Sequence, residues 1–180
     1  MLSYDLIVIG FGKAGKTLAA KQAGLGKKVA LIEQSKSMYG GTCINIACIP
    51  TKTMLVAADK GLTFSDVMAE KTAVVTRLNT KNYAMLSSSV DVIDAKARFV
   101  ANKVMEITTG DEVEELTADN IVINTGAVSV VPPIEGLTTV EGVVDSTGIQ
   151  QLSQLPKRLG TMGAGNIGLE FATLYSRLGS

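Results

Sequence analysis

The sequence predicts an α/β fold: a parallel sheet with covering helices and a small antiparallel β meander, followed by the opening of a second unit of the same kind. Three observations predict it. Tyr4 to Ile9 and Lys28 to Ile32 are short apolar, β-branched runs, the composition of strands buried on both faces. The string GxGxxG occurs twice, at Gly10, Gly12 and Gly15 and at Gly163, Gly165 and Gly168, each time ahead of a helix-forming stretch. Between the two lie short alternating runs separated by turn residues, the pattern of a meander.

Taken in order, the first strand ends at Ile9 and glycines follow at once. Ala14 to Ala23 are helix formers, stopped by Gly24-Leu25-Gly26, and the second strand closes at Glu33. A connection, SKSMYGG, leads into a segment holding Cys43 and Cys48. Asp66 to Leu86 forms a longer amphipathic helix whose Val67, Val74, Leu78 and Met85 make a loose stripe that core packing explains. Val90 to Asp94, Ala97 to Ala101, Lys103 to Thr108 and Glu114 to Thr117 are the small strands, with turns at Ala101-Asn102 and Gly110-Asp111. Asn120 to Asn124 is a further buried strand, closed by Thr125-Gly126. Pro132-Pro133 and the mixed stretch to Gln154 read as a linker, which sets a boundary near residue 150 between a 1–150 domain and a 151–180 segment. In that segment RLGTMGAGNIGLEFATLYSRLG repeats the first pattern of strand, glycine turn and helix. A second βαβ unit is opened and not finished, which predicts the front part of a longer protein.

Composition narrows the function. The 180 residues hold 17 Lys plus Arg against 17 Asp plus Glu, and no basic run, so neither nucleic acid nor an anionic membrane is an expected partner. A small molecule is. Every apolar run stops well short of the roughly 18 residues of a spanning helix, and MLSYDLIVIG has neither the basic start nor the cleavage site of a signal peptide, so a cytoplasmic location is expected. Histidine is absent, which removes imidazole as base, shuttle or metal ligand within these residues. Two cysteines are too few for a secreted disulfide scaffold and suggest redox or metal work.

The stretch GFGKAGKT, residues 10–17, fits two phosphate-binding patterns. As Gly10-x-Gly12-x-x-Gly15 it seats a dinucleotide; as Gly10-x-x-x-x-Gly15-Lys16-Thr17 it is the loop of a nucleotide hydrolase. Both rest on unpaired N–H groups and the positive end of a helix dipole. The flanks favour the dinucleotide. An acidic residue should end the second strand roughly 20 residues on, to accept hydrogen bonds from ribose hydroxyls, and Glu33 stands there. The hydrolase needs a metal-binding aspartate at a strand end; only Asp94 offers itself, on a strand interrupted by Asp91. Lys16 and Thr17 are then ordinary first-turn helix residues.

GGTCINIACIPTK, residues 40–52, admits three readings: two structural thiols, a two-thiolate metal site with no further Cys or His to complete it, or a reversible disulfide. An ideal helix holds residues five apart about 8 to 9 Å from each other, beyond the roughly 7 Å limit for bridging. If Cys43 and Cys48 bond, the segment between them departs from regular helix. Gly40, Gly41 and Pro50 are consistent with that, and a nearby helix start with Lys52 would favour thiolate.

GG-T-C-x-N-x-x-C-x-P-T-K after a first-strand GxGxxG and Glu33 resembles the class I pyridine nucleotide-disulfide oxidoreductases, among them glutathione reductase, dihydrolipoamide dehydrogenase and mercuric reductase. IGFGKAGKTLA, ALIEQS, MYGGTCINIACIPTKT, NTGAVSVVPPI and DSTG are most similar to the reactive-chlorine-resistance flavoenzymes, bacterial cytosolic reductases acting on oxidants and metal ions. The resemblance covers essentially the whole chain. It implies a Rossmann-like FAD-binding domain and the truncated start of a Rossmann-like NAD(P) domain at Gly163, Gly165 and Gly168. It implies that Gly10, Gly12 and Gly15 face the FAD pyrophosphate, Glu33 with Gln34 the adenosine ribose, and Gly41 with Thr42 a second pyrophosphate contact. It places the Ala97 backbone at the adenine and Thr125-Gly126 beside the flavin. Electrons would pass from NAD(P)H through FAD to a Cys43-Cys48 disulfide, with Cys48 against the flavin and Cys43 meeting an oxidised small-molecule substrate such as hypothiocyanous acid, another reactive oxidant or Cu(II). Lys52 would be a buried cation near the flavin, paired with Glu170.

Two positions depart from the family pattern: Asn166 stands where many relatives carry an aromatic cover for the flavin, and Ala47 replaces a frequent glycine. Relatives place a His-Glu acid-base pair in a C-terminal dimerisation domain. The expectation is a homodimeric reductase with an oxidative-stress role as a full-length protein, and no turnover by these 180 residues alone.

Overall fold

The computed structural model describes residues 1–180. In chain order its elements are β1 (Leu2–Ile9), α1 (Lys13–Gly24), β2 (Val29–Glu33), a 3-10 turn (Lys36–Met38), α2 (Thr42–Asn45), α3 (Cys48–Asp59), α4 (Phe64–Ser87), β3 (Asp91–Asp94), β4 (Lys96–Ala101), β5 (Val104–Thr109), β6 (Glu112–Ile123), a 3-10 turn (Gly148–Gln151) and α5 (Asn166–Arg177). The chain divides into two compact units, Met1–Asn45 with Arg77–Gly126 and Ile46–Thr76 with Ala127–Ser180. No helix is long and apolar enough to cross a membrane.

The first unit is built on a six-stranded sheet in the order β3-β2-β1-β6-β5-β4. β1, β2, β3 and the second half of β6 run parallel; β4, β5 and the first half of β6 form an antiparallel meander. Parallel pairing of β1 with β2 requires a crossover, which α1 supplies. Side-chain alternation assigns the faces. Leu6, Val8, Val29 and Leu31 pack on one side with Ala19 of α1 and Leu86 of α4. Ile7, Ala30 and Ile32 pack on the other with Met105, Ile107 and Leu116 of the meander. Each Val, Leu, Ile or Met side chain among them contributes about 1.5–3 kcal/mol of burial, and a one-residue slip would move it to the wrong face.

Where the sequence predicts two strands, Glu114 to Thr117 and Asn120 to Asn124, the structure has the single β6. Ala118 pairs with Tyr4 of β1, and Asp119 turns outward to solvent, so neither interrupts the ladder.

The second unit is helical. Met54 and Ala57 of α3, Val67 of α4, Ile149, and Phe171, Leu174 and Tyr175 of α5 are its buried core. The Tyr175 hydroxyl donates to the Ile149 carbonyl at 2.6 Å, and Arg177 pairs with Asp59 at 3.2 Å. The strand predicted ahead of Gly163 does not form; residues 157–162 are irregular. A strand needs a neighbour to satisfy its backbone, and no other segment of this unit is extended into one.

Candidate dinucleotide and thiol site

β1 ends at Ile9, and Gly10 turns the chain with φ +99°. Its N–H donates to the Ile32 carbonyl at 2.8 Å, while its own carbonyl accepts from Asn124 Nδ2 at 3.0 Å. A Cβ at Gly10 would strike the Asn124 carbonyl, and one at Gly15 would lie 2.7 Å from Val8 Cγ1. Gly12 is the N-cap of α1, and Lys16 N–H returns the first helical bond to its carbonyl at 3.0 Å. No side chain caps α1 and no acidic residue occupies its first turn. Its leading N–H groups are therefore left for an anion, with the helix dipole behind them.

A second loop closes on this turn. Gly40 and Gly41 have φ +94° and +78°, and a Cβ at Gly41 would sit 2.6 Å from Gly12 Cα. Thr42, which follows, has its Oγ1 at 4.0 Å from the Cβ position of Gly126, in the Thr125-Gly126 turn that ends β6. Bare backbone at Gly12 and Gly41 beside an uncapped helix start is a surface that fits a pyrophosphate and would be filled by any side chain. Glu33 ends β2 with its carboxylate fixed: Oε2 accepts from Phe11 N–H at 3.0 Å and Oε1 from Ser35 N–H at 3.1 Å. A carboxylate offers about four lone-pair sites, so acceptor capacity remains for ribose hydroxyls. Gln34 is exposed beside it, and Ala97, half-buried in β4, pairs with Ile107. These residues fit the dinucleotide of the predicted family.

The hydrolase alternative finds no support in the side chains. Lys16 Nζ bonds Asn82 Oδ1, and Thr17 Oγ1 donates to the Lys13 carbonyl at 2.7 Å. Asp94 is engaged by the Tyr39 hydroxyl and by Lys36 at 3.4 Å. Burial, then that bond to Asp94, pushes the Tyr39 phenol far up.

The cysteine segment departs from regular helix. Cys43 lies in α2, Ile46 and Ala47 interrupt the helix with Ala47 at φ −135° and ψ −99°, and Cys48 opens α3. Both cysteines are exposed. Two residues unread in the sequence hold this region. In the first unit Asn79 Nδ2 reaches the Lys36 carbonyl (3.1 Å), the Ser37 carbonyl (3.0 Å) and Asn45 Oδ1 (3.1 Å), and Asn45 Nδ2 donates to the Gly41 carbonyl at 2.9 Å. In the second, Gln150 is buried, and its Nε2 donates to the carbonyls of Ile46 (2.9 Å) and Ser146 (2.7 Å). Asn79 and Asn82, three apart on α4, were the available signal; Gln150 had none.

In the second unit Lys52 of α3 and Glu170 of α5 are joined as an ion pair. In these 180 residues the Lys52 and Glu170 side chains are 60 % and 37 % exposed. The turn at Gly163 repeats the first turn's backbone: Gly163 has φ +99°, Gly165 caps α5 with φ −74° and ψ 173° against −62° and 162° at Gly12, and Leu169 N–H bonds the Gly165 carbonyl at 3.0 Å. A Cβ at Gly168 would strike the Gly163 carbonyl. α5 is likewise uncapped by any side chain.

Residues 4–180 match the pyridine nucleotide-disulphide oxidoreductase family. The chain is 48 % identical over 182 residues to the probable pyridine nucleotide-disulfide oxidoreductase RclA of Escherichia coli K12, covering 100 % of this chain and 41 % of that protein. It is 31 % identical to a mercuric reductase of Bacillus cereus (98 % and 30 % covered) and 34 % identical to a dihydrolipoyl dehydrogenase of Acholeplasma laidlawii (98 % and 57 % covered). The solved Cu(II) complex of the HOCl-induced flavoprotein disulfide reductase RclA from Escherichia coli superposes with a TM-score of 0.97 at 48 % identity, over 100 % of this chain and 41 % of that one. The chain thus spans 41 % of the length of its Escherichia coli relative.

Proposed function

The chain belongs to the pyridine nucleotide-disulphide oxidoreductase family, and from that premise we propose that it is the FAD-binding and thiol-bearing part of an NAD(P)H-driven reductase. The observation that carries this is the stacking of the Gly41 loop, which leads into Cys43, directly on the Gly12 turn at the uncapped start of α1. FAD, when bound, supplies the two-electron chemistry that links a nicotinamide to a disulfide. The chain's own residues do the rest. Gly10, Gly12, Gly15, Gly41 and Thr42 seat the pyrophosphate, Glu33 and Gln34 orient the ribose, Ala97 lies at the adenine, and Thr125-Gly126 passes the ring. Cys43 and Cys48 form the redox couple: two electrons and two protons break the S–S bond and leave two thiols. Cys48 lies on the flavin side, and Cys43 exchanges with substrate. Lys52 supplies positive charge, neutralised by Glu170. Gly163, Gly165 and Gly168 begin the nicotinamide cofactor's pyrophosphate turn, so a functional boundary falls near residue 150.

For substrate we propose a small oxidised molecule; the Escherichia coli relative, described as HOCl-induced and solved with Cu(II), makes reactive chlorine products and Cu(II) the first to try. The whole protein is proposed to be a cytoplasmic homodimer. The test is a thiol count on the full-length protein. One equivalent of NADH or NADPH added anaerobically should expose two further alkylatable thiols, mapped by mass spectrometry to Cys43 and Cys48. Reduction of the bound flavin without new labelling at either position overturns the reading.

A further inference from the structure

The three glycines of the first turn all meet one residue. Asn124 follows β6, and its N–H donates to the Ile9 carbonyl at 2.8 Å, one step past the last paired residues, Ile9 and Ile123. Its side chain is half-buried, and its Nδ2 donates to the Gly10 carbonyl at 3.0 Å. The same nitrogen lies 2.8 Å from the Cβ position of Gly12 and 2.5 Å from that of Gly15. These contacts divide the glycines by cause. At Gly10 the obstacle is backbone, the Asn124 carbonyl oxygen at 2.3 Å, on a left-handed φ of +99° that disfavours a side chain in any case. Gly12, at φ −62°, and Gly15, inside α1, have backbone conformations open to any residue. What a Cβ meets there first is the Asn124 amide, joined at Gly15 by Val8 Cγ1 at 2.7 Å. Thr125 and Gly126 come next in the chain, with the Gly126 Cβ position 4.0 Å from Thr42 Oγ1. One side chain thus ties the glycine turn to the segment proposed to pass the flavin ring.

We propose that Asn124 is a positioning residue for FAD and acts through the turn: its amide fixes the Gly10 peptide and the seat of α1, holding the leading N–H groups of the helix in register with Thr125-Gly126. This rests on the reading of Gly10, Gly12 and Gly15 as the FAD turn and deepens it. The third glycine is then demanded by the Asn124 amide as well as by the close packing of helix on strand.

The experiment is an FAD titration of the full-length protein stripped of its flavin, beside urea unfolding of the same apoprotein. Asn124→Leu keeps the bulk and removes the donor, and Asn124→Ala removes both; each should raise the FAD dissociation constant about five- to tenfold. Gly15→Ala should weaken FAD at least about tenfold in the parent and in Asn124→Leu, yet only a few-fold in Asn124→Ala, where the amide is gone and Val8 alone obstructs. Parent affinity in both Asn124 variants, whatever their unfolding shows, overturns the proposal, and so does an equal cost of Gly15→Ala in all three backgrounds. Where Asn124→Ala does not fold, the affinity of Asn124→Leu decides. A parent protein that takes up no FAD would instead strike the reading of the turn as the FAD site.

Discussion

Gly41 rests on Gly12 backbone to backbone, closely enough that a Cβ on Gly41 would fall 2.6 Å from the Gly12 Cα. The loop entering the cysteines and the turn at the start of α1 therefore share one surface. Gly41→Ala forces a side chain into that contact at φ +78°, where the left-handed backbone alone costs about 1–2 kcal/mol. The expected result is a loss of about 2–4 kcal/mol in urea unfolding and FAD affinity lowered at least about tenfold. Flavin fluorescence quenching across a titration checks the second. Equal affinity for the two proteins would mean the contact is structural only.

Gln150 tests the other side of the cysteine break. Its amide satisfies the carbonyls of Ile46 and Ser146 while buried at 4 % exposure, and its backbone carbonyl accepts from Lys71 at 2.6 Å. Gln150→Leu preserves bulk but takes the donor from two part-buried carbonyls, at up to about 1–3 kcal/mol each. Hydrogen exchange should report faster opening at the first turn of α3, where Thr51 N–H bonds the Ala47 carbonyl at 3.1 Å. Unchanged protection there would show that Gln150 stabilises its own unit without holding the break.

How much of this was legible in the sequence depends on whether the cause is local. The glycine turns were legible because only glycine tolerates φ +99° with backbone packed against it, as at Gly10. The strand-ending Glu33 follows from strand length plus motif spacing, whereas the helix break was expected only on the condition that Cys43 and Cys48 bond, and it is present with no bond between the two sulfurs. Gln150 and Asn124 were not legible, because each acts on backbone more than a hundred residues away. The strand expected before Gly163 failed for the same kind of reason: its local composition is right, but a strand is stable only beside another, and local sequence does not say whether a neighbour exists.

Tyr175 gives a pH signature to the second unit. Burial raises its phenol from 10.0 to about 12, so the folded state holds the proton longer than the unfolded chain does. The stability it contributes is complete below pH 10 and is lost as pH rises through the window to about 12. Roughly 1–3 kcal/mol should disappear there. Tyr175→Phe sacrifices the bond to the Ile149 carbonyl, about 1 kcal/mol at neutral pH, and should flatten this part of the alkaline limb. Urea unfolding at a series of pH values distinguishes the two; an equally steep limb in the variant would assign the loss to another group, of which Tyr4, also raised to about 12 by burial, is the first to check.

The Lys52–Glu170 pair separates stability from function more sharply than any other. The two side chains are 60 % and 37 % exposed, and exposed pairs are worth about 0–1 kcal/mol. Lys52→Met should therefore leave urea unfolding within about 1 kcal/mol of the parent. If Lys52 supplies the positive charge proposed for it, the full-length variant should release the Cys43 and Cys48 thiols at least about tenfold more slowly after NAD(P)H is added. Glu170→Gln keeps the cation while removing its partner, so its effect on that rate should be smaller than that of Lys52→Met. A lysine that merely ties α3 to α5 would give no such ordering: the two substitutions would cost equal stability and equal rate, because either one breaks the same bond.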